Sequence, residues 1–275
     1  MPRIPIGDWF EVLVDFLRME WSGFFDAIGN GLGGFIRGVQ VVLLAPPFWL
    51  IILLVTVIAF LRCGKGIALF TCLGLILLEM MGLWADSSTT LALIITSTLI
   101  AIAIGLPIGI LSAYFRPVSA VLRPILDLMQ TMPAFVYLIP SVLFFGVGDV
   151  PAVISTIIFS MPPVIRLTDL GIRQVPEELN EAGESFGSQW HQMLFKIQLP
   201  FAAPTIMAGL NQCIMLSLSM VVIAAMIGAS GLGSIVVSGT SSLNVGKAFE
   251  GGLGVVIIAI IIDRLTQGKE KKQTD

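Results

Sequence analysis

The chain has 275 residues, 56% of them apolar and only 12% charged, with a mean hydropathy of +0.96. A soluble domain carries about 25% charged residues, so an ordinary cytosolic enzyme is excluded and most of the chain belongs in lipid. The formal net charge of −3 gives no global basic face for nucleic acid, and Cys63, Cys72 and Cys213 have neither metal nor disulfide spacing. The cysteines read as small apolar packing residues.

Residues 1–38 form an N-terminal arm. Asp8, Glu11, Asp15, Arg18, Ser22 and Asp26 recur every three or four residues, opposite Trp9, Phe10, Leu13, Leu17, Trp21 and Phe25. This pattern predicts an amphipathic helix stopped by Gly29-Asn30-Gly31, lying either along the bilayer interface or on the protein's own bundle. The acids Asp8, Glu11, Asp15 and Glu20, with no basic start or continuous apolar core, exclude a cleavable signal peptide. Gly29, Gly31 and Gly34 match G-x-G-x-x-G, but no strand precedes them, so they read as a helix break.

Apolar runs of roughly 20 residues predict seven membrane spans. They cover 41–61 and 66–84, two additional helices within 39–88, then 89–114, 126–147, 152–166, 205–228 and 251–263 in a core of 89–266. Alternate connections collect eleven of the fifteen Lys and Arg residues on one side and leave Lys247 on the other. Basic residues are retained on the cytoplasmic side, which places the long loop 167–203 and a basic tail, 267–275, in the cytoplasm and the N-terminus outside.

Within the spans, Ala101, Gly105 and Gly109 form a small-residue ladder in the third, serving either packing within the chain or a dimer seam, with Pro107 as a kink. Glu79, Asp127 and Asp263 are conspicuous carboxylates at span margins; Glu79 is deepest and is a candidate for facing a pore. The fourth span carries Pro133 and Pro140 among aromatic residues. Met132, Phe135, Tyr137 and Phe144 are candidates for lining a path taken by a quaternary ammonium, which cation–π attraction stabilises without a full charge in the wall. The alternative for each is packing or lipid contact.

No P-loop is present, the single histidine, His191, has no ligand neighbours for zinc, and no nucleophile, base and orienter stand together. The chain is therefore expected to hold no cofactor and to catalyse nothing alone. The long loop is more informative. It reads EELNEAGESFGSQWHQMLFKIQLP from Glu177 to Pro200, helical in tendency and bounded by prolines, with Phe186, Trp190, Leu194 and Phe195 available for apolar contact. Small residues at 182, 183 and 187 let a short helix turn against another surface.

At this point the sequence resembles the permease subunits of bacterial ABC importers, whose hallmark is EAA, three residues, G, nine residues and I-x-L-P. Glu181, Ala182, Gly183, Gly187, Ile197, Leu199 and Pro200 occupy those positions, the one departure being Gly183 for the second alanine. The stretches LDLMQTMPAFVYLIP, MPPVIRLTDLGIRQVP and SMVVIAAMIGASGLG look like the glycine betaine, proline betaine and choline branch. The resemblance implies an all-α, polytopic fold with a type I importer (MetI-like) core. It also implies a homodimer of permeases joined to two cytoplasmic ATPase subunits that use ATP and Mg. A separate extracellular binding protein is expected to deliver the osmolyte, because only a short tail follows Asp263. The matched residues would form a coupling helix seated on the ATPase. Competing readings are a permease for another small solute such as an amino acid, a self-sufficient secondary transporter or channel, and a membrane scaffold or sensor.

Overall fold

Residues 14–268 are described in the computed structural model, and every regular element among them is helical. After a helical run over 14–20 come α1 (Ser22–Leu44), α2 (Phe48–Cys63), α3 (Lys65–Met80), α4 (Trp84–Tyr114), α5 (Arg116–Thr131) and α6 (Leu138–Phe145). They are followed by α7 (Asp149–Arg173), α8 (Glu177–Ser185), α9 (Trp190–Met193), α10 (Leu199–Ala224), α11 (Leu232–Ser241) and α12 (Val245–Gln267). Residues 1–13 of the expected arm and 269–275 of the expected basic tail lie outside the described residues.

The core is a seam of three long helices, α4, α7 and α10. Between apolar helices in lipid there is no hydrophobic driving force, so close packing of small residues must hold them. A Cβ at Gly109 would lie 2.6 Å from Thr168 Cβ and 2.8 Å from the Ile165 carbonyl oxygen, and one at Gly105 would lie 3.2 Å from Met161 and Val164. The ladder of the third span is therefore a packing seam within the chain, between α4 and α7. Gly171 and Gly209 repeat the device between α7 and α10, where a Cβ would come within 3.1 Å of Ala202 and 3.0 Å of the Pro163 carbonyl respectively. Three hydroxyls inside this core bond back to their own helices: Ser97 donates to the Leu93 carbonyl, Thr156 to that of Ala152 and Ser160 to that of Thr156.

One end of the bundle gathers the basic residues. Gly64, at φ +97°, turns α2 into α3 within a single residue, and this tip meets the end of α12. There Arg62 donates to the Leu265 carbonyl at 3.2 Å and the Cys63 thiol to that of Arg264 at 3.0 Å. The opposite end is stitched by the segment after α10. Ser230 N donates to Asp149 at 2.7 Å, Leu232 N to the Thr90 hydroxyl at 2.9 Å, and Gly148 N to the Ile227 carbonyl at 3.0 Å.

Several expected spans are redrawn. Among the described residues, five helices are long and apolar enough to cross a membrane, or six if α5 and the bent Ala134–Phe145 segment count as one; α2 and α11 are shorter apolar helices. The predicted 126–147 span is not straight. Pro133 lacks an N–H and forces Met132 to ψ 134°, so the axis turns by 111°. The predicted 41–61 span is split by Pro46 and Pro47, which separate α1 from α2. At sixteen residues each, α2 and α3 reach about 24 Å, short of the roughly 30 Å hydrocarbon core. The helix α11 was not anticipated, and it packs antiparallel on α12 so closely that a Cβ at Gly239 would lie 2.5 Å from Ala248 N.

The stop expected at Gly29-Asn30-Gly31 does not occur, because α1 runs through it. Its glycines instead allow close approach, with Gly29 facing Phe145 and Gly33 facing Val150. Along α1, Phe25 stacks on Phe144 at 4.7 Å between ring centroids, and Gln40 donates to Thr89 at 2.8 Å. These partners sit at the end of α6, the start of α7 and the start of α4. Over about 22 Å of its length α1 thus crosses helix ends instead of descending between helices. Its length and composition would allow a span, and its contacts lie at the ends of α4, α6 and α7.

Candidate functional site

The loop between α7 and α10 is built from two turns and three short helical pieces. Val175 is buried, Pro176 is extended at ψ 139°, and α8 begins directly after it with Glu177 and Glu178 in its first turn, where carboxylates favour the helix dipole. The helix ends in a glycine turn. Gly187 takes φ +73°, its N–H donates to the Glu184 carbonyl at 2.8 Å, and Ser188 N donates to that of Gly183 at 3.0 Å. Gln189 then caps α9 reciprocally with Gln192, and a π turn over Leu194–Gln198 leads into α10.

The seven motif residues take distinct places. Glu181 and Ala182 are exposed on α8, and Gly183 faces inward, where a Cβ would lie 2.7 Å from the side-chain tips of Met193 and Ile197. Those tips are flexible, so the alanine usual at this position would fit with a small shift. Gly187 supplies the turn. Ile197, in the π turn, and Leu199, the first residue of α10, are half-buried, and Pro200 stands in the first turn of α10, where its missing N–H costs nothing. The outward face is apolar at its tip and acidic beside it. Phe186 is 92% exposed, Trp190 69% and Phe195 64%, next to Glu177, Glu178, Glu181 and Glu184; Leu194, by contrast, is buried.

The path candidates do not form one cluster. Phe135 is 52% exposed beside the helix break, with Met132 half-buried. Tyr137 is only 5% exposed, packs edge-on to Phe159 and donates its hydroxyl to the Met129 carbonyl, so it braces the corner. Phe144 is covered by Phe25 of α1, and Glu79 is the penultimate residue of α3, whose neighbours are α2, α12 and α4. Of the other marginal carboxylates, Asp127 pairs with Arg166 at 2.5 Å and Asp263 lies 3.9 Å from Arg264.

A cleft of about 350 Å³ brings Asp263 together with amides that the sequence alone does not single out. It is lined by Gln130 of α5, Pro163 of α7, Asn211, Gln212 and Met215 of α10, and Asp263. The Asn211 carbonyl oxygen is buried without a hydrogen-bond partner among the described residues. Adjacent amides inside an apolar span were the available signal, since such groups are costly in hydrocarbon unless they face protein or water. His191 is exposed, and among the described residues no three His, Cys, Asp or Glu side chains group to hold a metal.

Comparison with known proteins bears on this arrangement. The family of binding-protein-dependent transport system inner membrane components matches residues 105–272, which includes the whole loop between α7 and α10, the cleft and α12. The chain belongs to this family. Among the permease's relatives, the glycine betaine transport system permease protein OpuAB of Bacillus subtilis is 50% identical over 275 residues, covering 100% of this chain and 98% of that one. The glycine betaine/carnitine transport permease protein GbuB of Listeria monocytogenes is 50% identical over 276 residues, covering 99% and 98%. ProW of Escherichia coli, a glycine betaine/proline betaine transport system permease protein, is 48% identical over 264 residues and is covered for 75% of its length. An inward-facing structure of the MetNI methionine ABC transporter shares the permease fold with a TM-score of 0.58 at 23% identity, over 69% of this chain and 93% of that one. The permease is thus a multi-pass membrane transport component with an all-helical, MetI-like core.

Proposed function

We propose that this permease is the membrane-spanning subunit of an ATP-driven importer for glycine betaine or related quaternary ammonium osmolytes. It works as a pair, with two separate cytoplasmic ATPase subunits that hold the ATP and Mg, and a separate extracellular protein that delivers the substrate. The observation that carries the coupling role is the loop 177–200, where an exposed helix ends at a left-handed glycine and presents Phe186 and Trp190 outward. An apolar tip ringed by carboxylates suits a groove with basic margins. The substrate class is supported by 50% identity, over the full chain, to permeases named for glycine betaine.

The orientation follows from charge. The α2–α3 tip with Arg62 and Lys65 meets Arg264, and the loop bearing Arg173 and Lys196 leaves the same end as Tyr114, which supports a cytoplasmic placement of this end and an outside placement of the α1 end. Glu181, Ala182, Gly183 and Gly187 shape the coupling helix, and Ile197, Leu199 and Pro200 fix its return. The route runs by the break at Met132 and Phe135 and the amides of α10, where an aromatic face and neutral amides attract a quaternary ammonium without trapping it. The deciding experiment is uptake of labelled glycine betaine into vesicles holding permease, ATPase and binding protein. Uptake that requires ATP supports the assignment; uptake driven by an ion gradient without ATP overturns it.

A further inference from the structure

The I-x-L-P element leaves its second position open, and in this chain that position is Gln198. The side chain is 8% exposed and both ends of its amide are used. Its Nε2 donates to Asn180 Oδ1 on α8 at 3.1 Å, while its Oε1 accepts from the hydroxyl of Tyr114, the last residue of α4. We propose that Gln198 is a positioning residue that ties the coupling helix to the membrane core, so that a displacement of α8 moves α4 and α10 together. This rests on the coupling role assigned above.

The need for such a tie lies in how α8 is attached. It is nine residues long and hangs between the extended Pro176 and the left-handed Gly187, where a Cβ would meet no atom within 4 Å. A short helix between two open turns pivots unless something restrains it. One restraint is apolar, the seat of Gly183 on Met193 and Ile197, and such contacts slide. The other is directional, the Asn180–Gln198–Tyr114 chain, which fixes α8 in register with two helices at once. Gln198 closes the π turn that interrupts the helix entering α10, a local geometry that recurs at functional sites. At the same end Arg173 of α7 donates to the Ser112 carbonyl of α4 at 2.5 Å and to Asp169 at 2.8 Å. A push on α8 therefore reaches α10 through the chain, α4 through Tyr114, and α7 through Arg173.

The test uses the full complex in vesicles, with glycine betaine uptake and ATP hydrolysis measured in the same sample for Gln198→Leu, Tyr114→Phe and the double variant. Gln198→Leu is expected to assemble and hydrolyse ATP while uptake per ATP falls at least tenfold. Tyr114→Phe, which removes one hydroxyl from a part-exposed ring, is expected to lower the ratio less, and the double variant to be no worse than Gln198→Leu alone. Unchanged uptake per ATP in both single variants overturns the tie while leaving the importer assignment standing. Parallel loss of hydrolysis and uptake in Tyr114→Phe overturns it too, since that marks a merely structural role. Absence of ATP-driven uptake in the unmodified complex overturns the importer assignment, and the tie with it.

Discussion

Replacing Gly187 with alanine isolates backbone conformation in the coupling loop. A Cβ at this position meets no atom within 4 Å, so alanine introduces no clash. What it does introduce is an L-residue at φ +73°, at a cost of about 1–2 kcal/mol. That corresponds to a fall of roughly 5- to 30-fold in the population of the native turn relative to alternatives. Asparagine enters this region more readily because its short polar side chain bonds locally, and valine enters it least. The expected order of ATP-driven glycine betaine uptake is therefore Gly, Asn, Ala, Val, with Gly187→Ala down about fivefold or more. Membrane insertion, read by detergent extraction and gel filtration, is expected to be unchanged because the residue is exposed. Equal uptake by Gly187→Ala and the unmodified chain, or better uptake by Gly187→Val than by Gly187→Asn, would refute the reasoning.

Three further outcomes are expected. Gly109→Leu pushes Thr168 and the Ile165 carbonyl, which cannot both retreat, and overpacking of about 1–3 kcal/mol should lower the Tm of detergent-solubilised protein by several degrees, whereas Gly34→Ala, with open space around it and better helix propensity, should hold Tm or raise it slightly. Phe186→Ser together with Trp190→Ser removes the exposed apolar tip and should weaken ATPase association at least tenfold by titration calorimetry, since burying each ring contributes roughly 1.5–3 kcal/mol. Tyr137→Phe leaves the Met129 carbonyl short of a partner and should lower Tm with little effect on uptake by the folded fraction, while Phe135→Ala should lower uptake and leave Tm alone.

The parts of the fold legible in the sequence were those that hydropathy and spacing encode locally. The long spans of α4, α7 and α12 follow from continuous apolar runs, and the Gly187 turn follows from a motif whose glycine has a conformational reason. Direction is not encoded in hydropathy, which is why Leu126 to Val147 read as one span although Pro133 turns it by 111°. Length misled in the other sense at α11, whose ten residues contain two glycines and four Ser or Thr and carry no span signal. At α1 the sequence marked glycines as breakers, but contacts with Phe145 and Val150 supply what the glycines lack in propensity. Tyr137 and Phe135 look alike in sequence as neighbouring aromatics, and only the tight turn over Ala134–Tyr137 leading into α6 separates a brace from an exposed ring. The Asn180–Gln198–Tyr114 chain had no sequence signal, since its members lie 18 and 84 residues apart.

The α2–α3 hairpin is held to its host chiefly by a single helix. Gly74 seats against Ile257, Gly254 against Leu78, and the tip bonds to carbonyls at the end of α12. None of these contacts involves the α4–α7 or α7–α10 seams, and the family match begins only at residue 105. A hairpin mounted chiefly on one outer helix can vary along its outward face without touching the α4–α7 and α7–α10 seams. The same independence makes it a suitable place for engineered insertions, provided the two glycines facing α12 and α3 are kept.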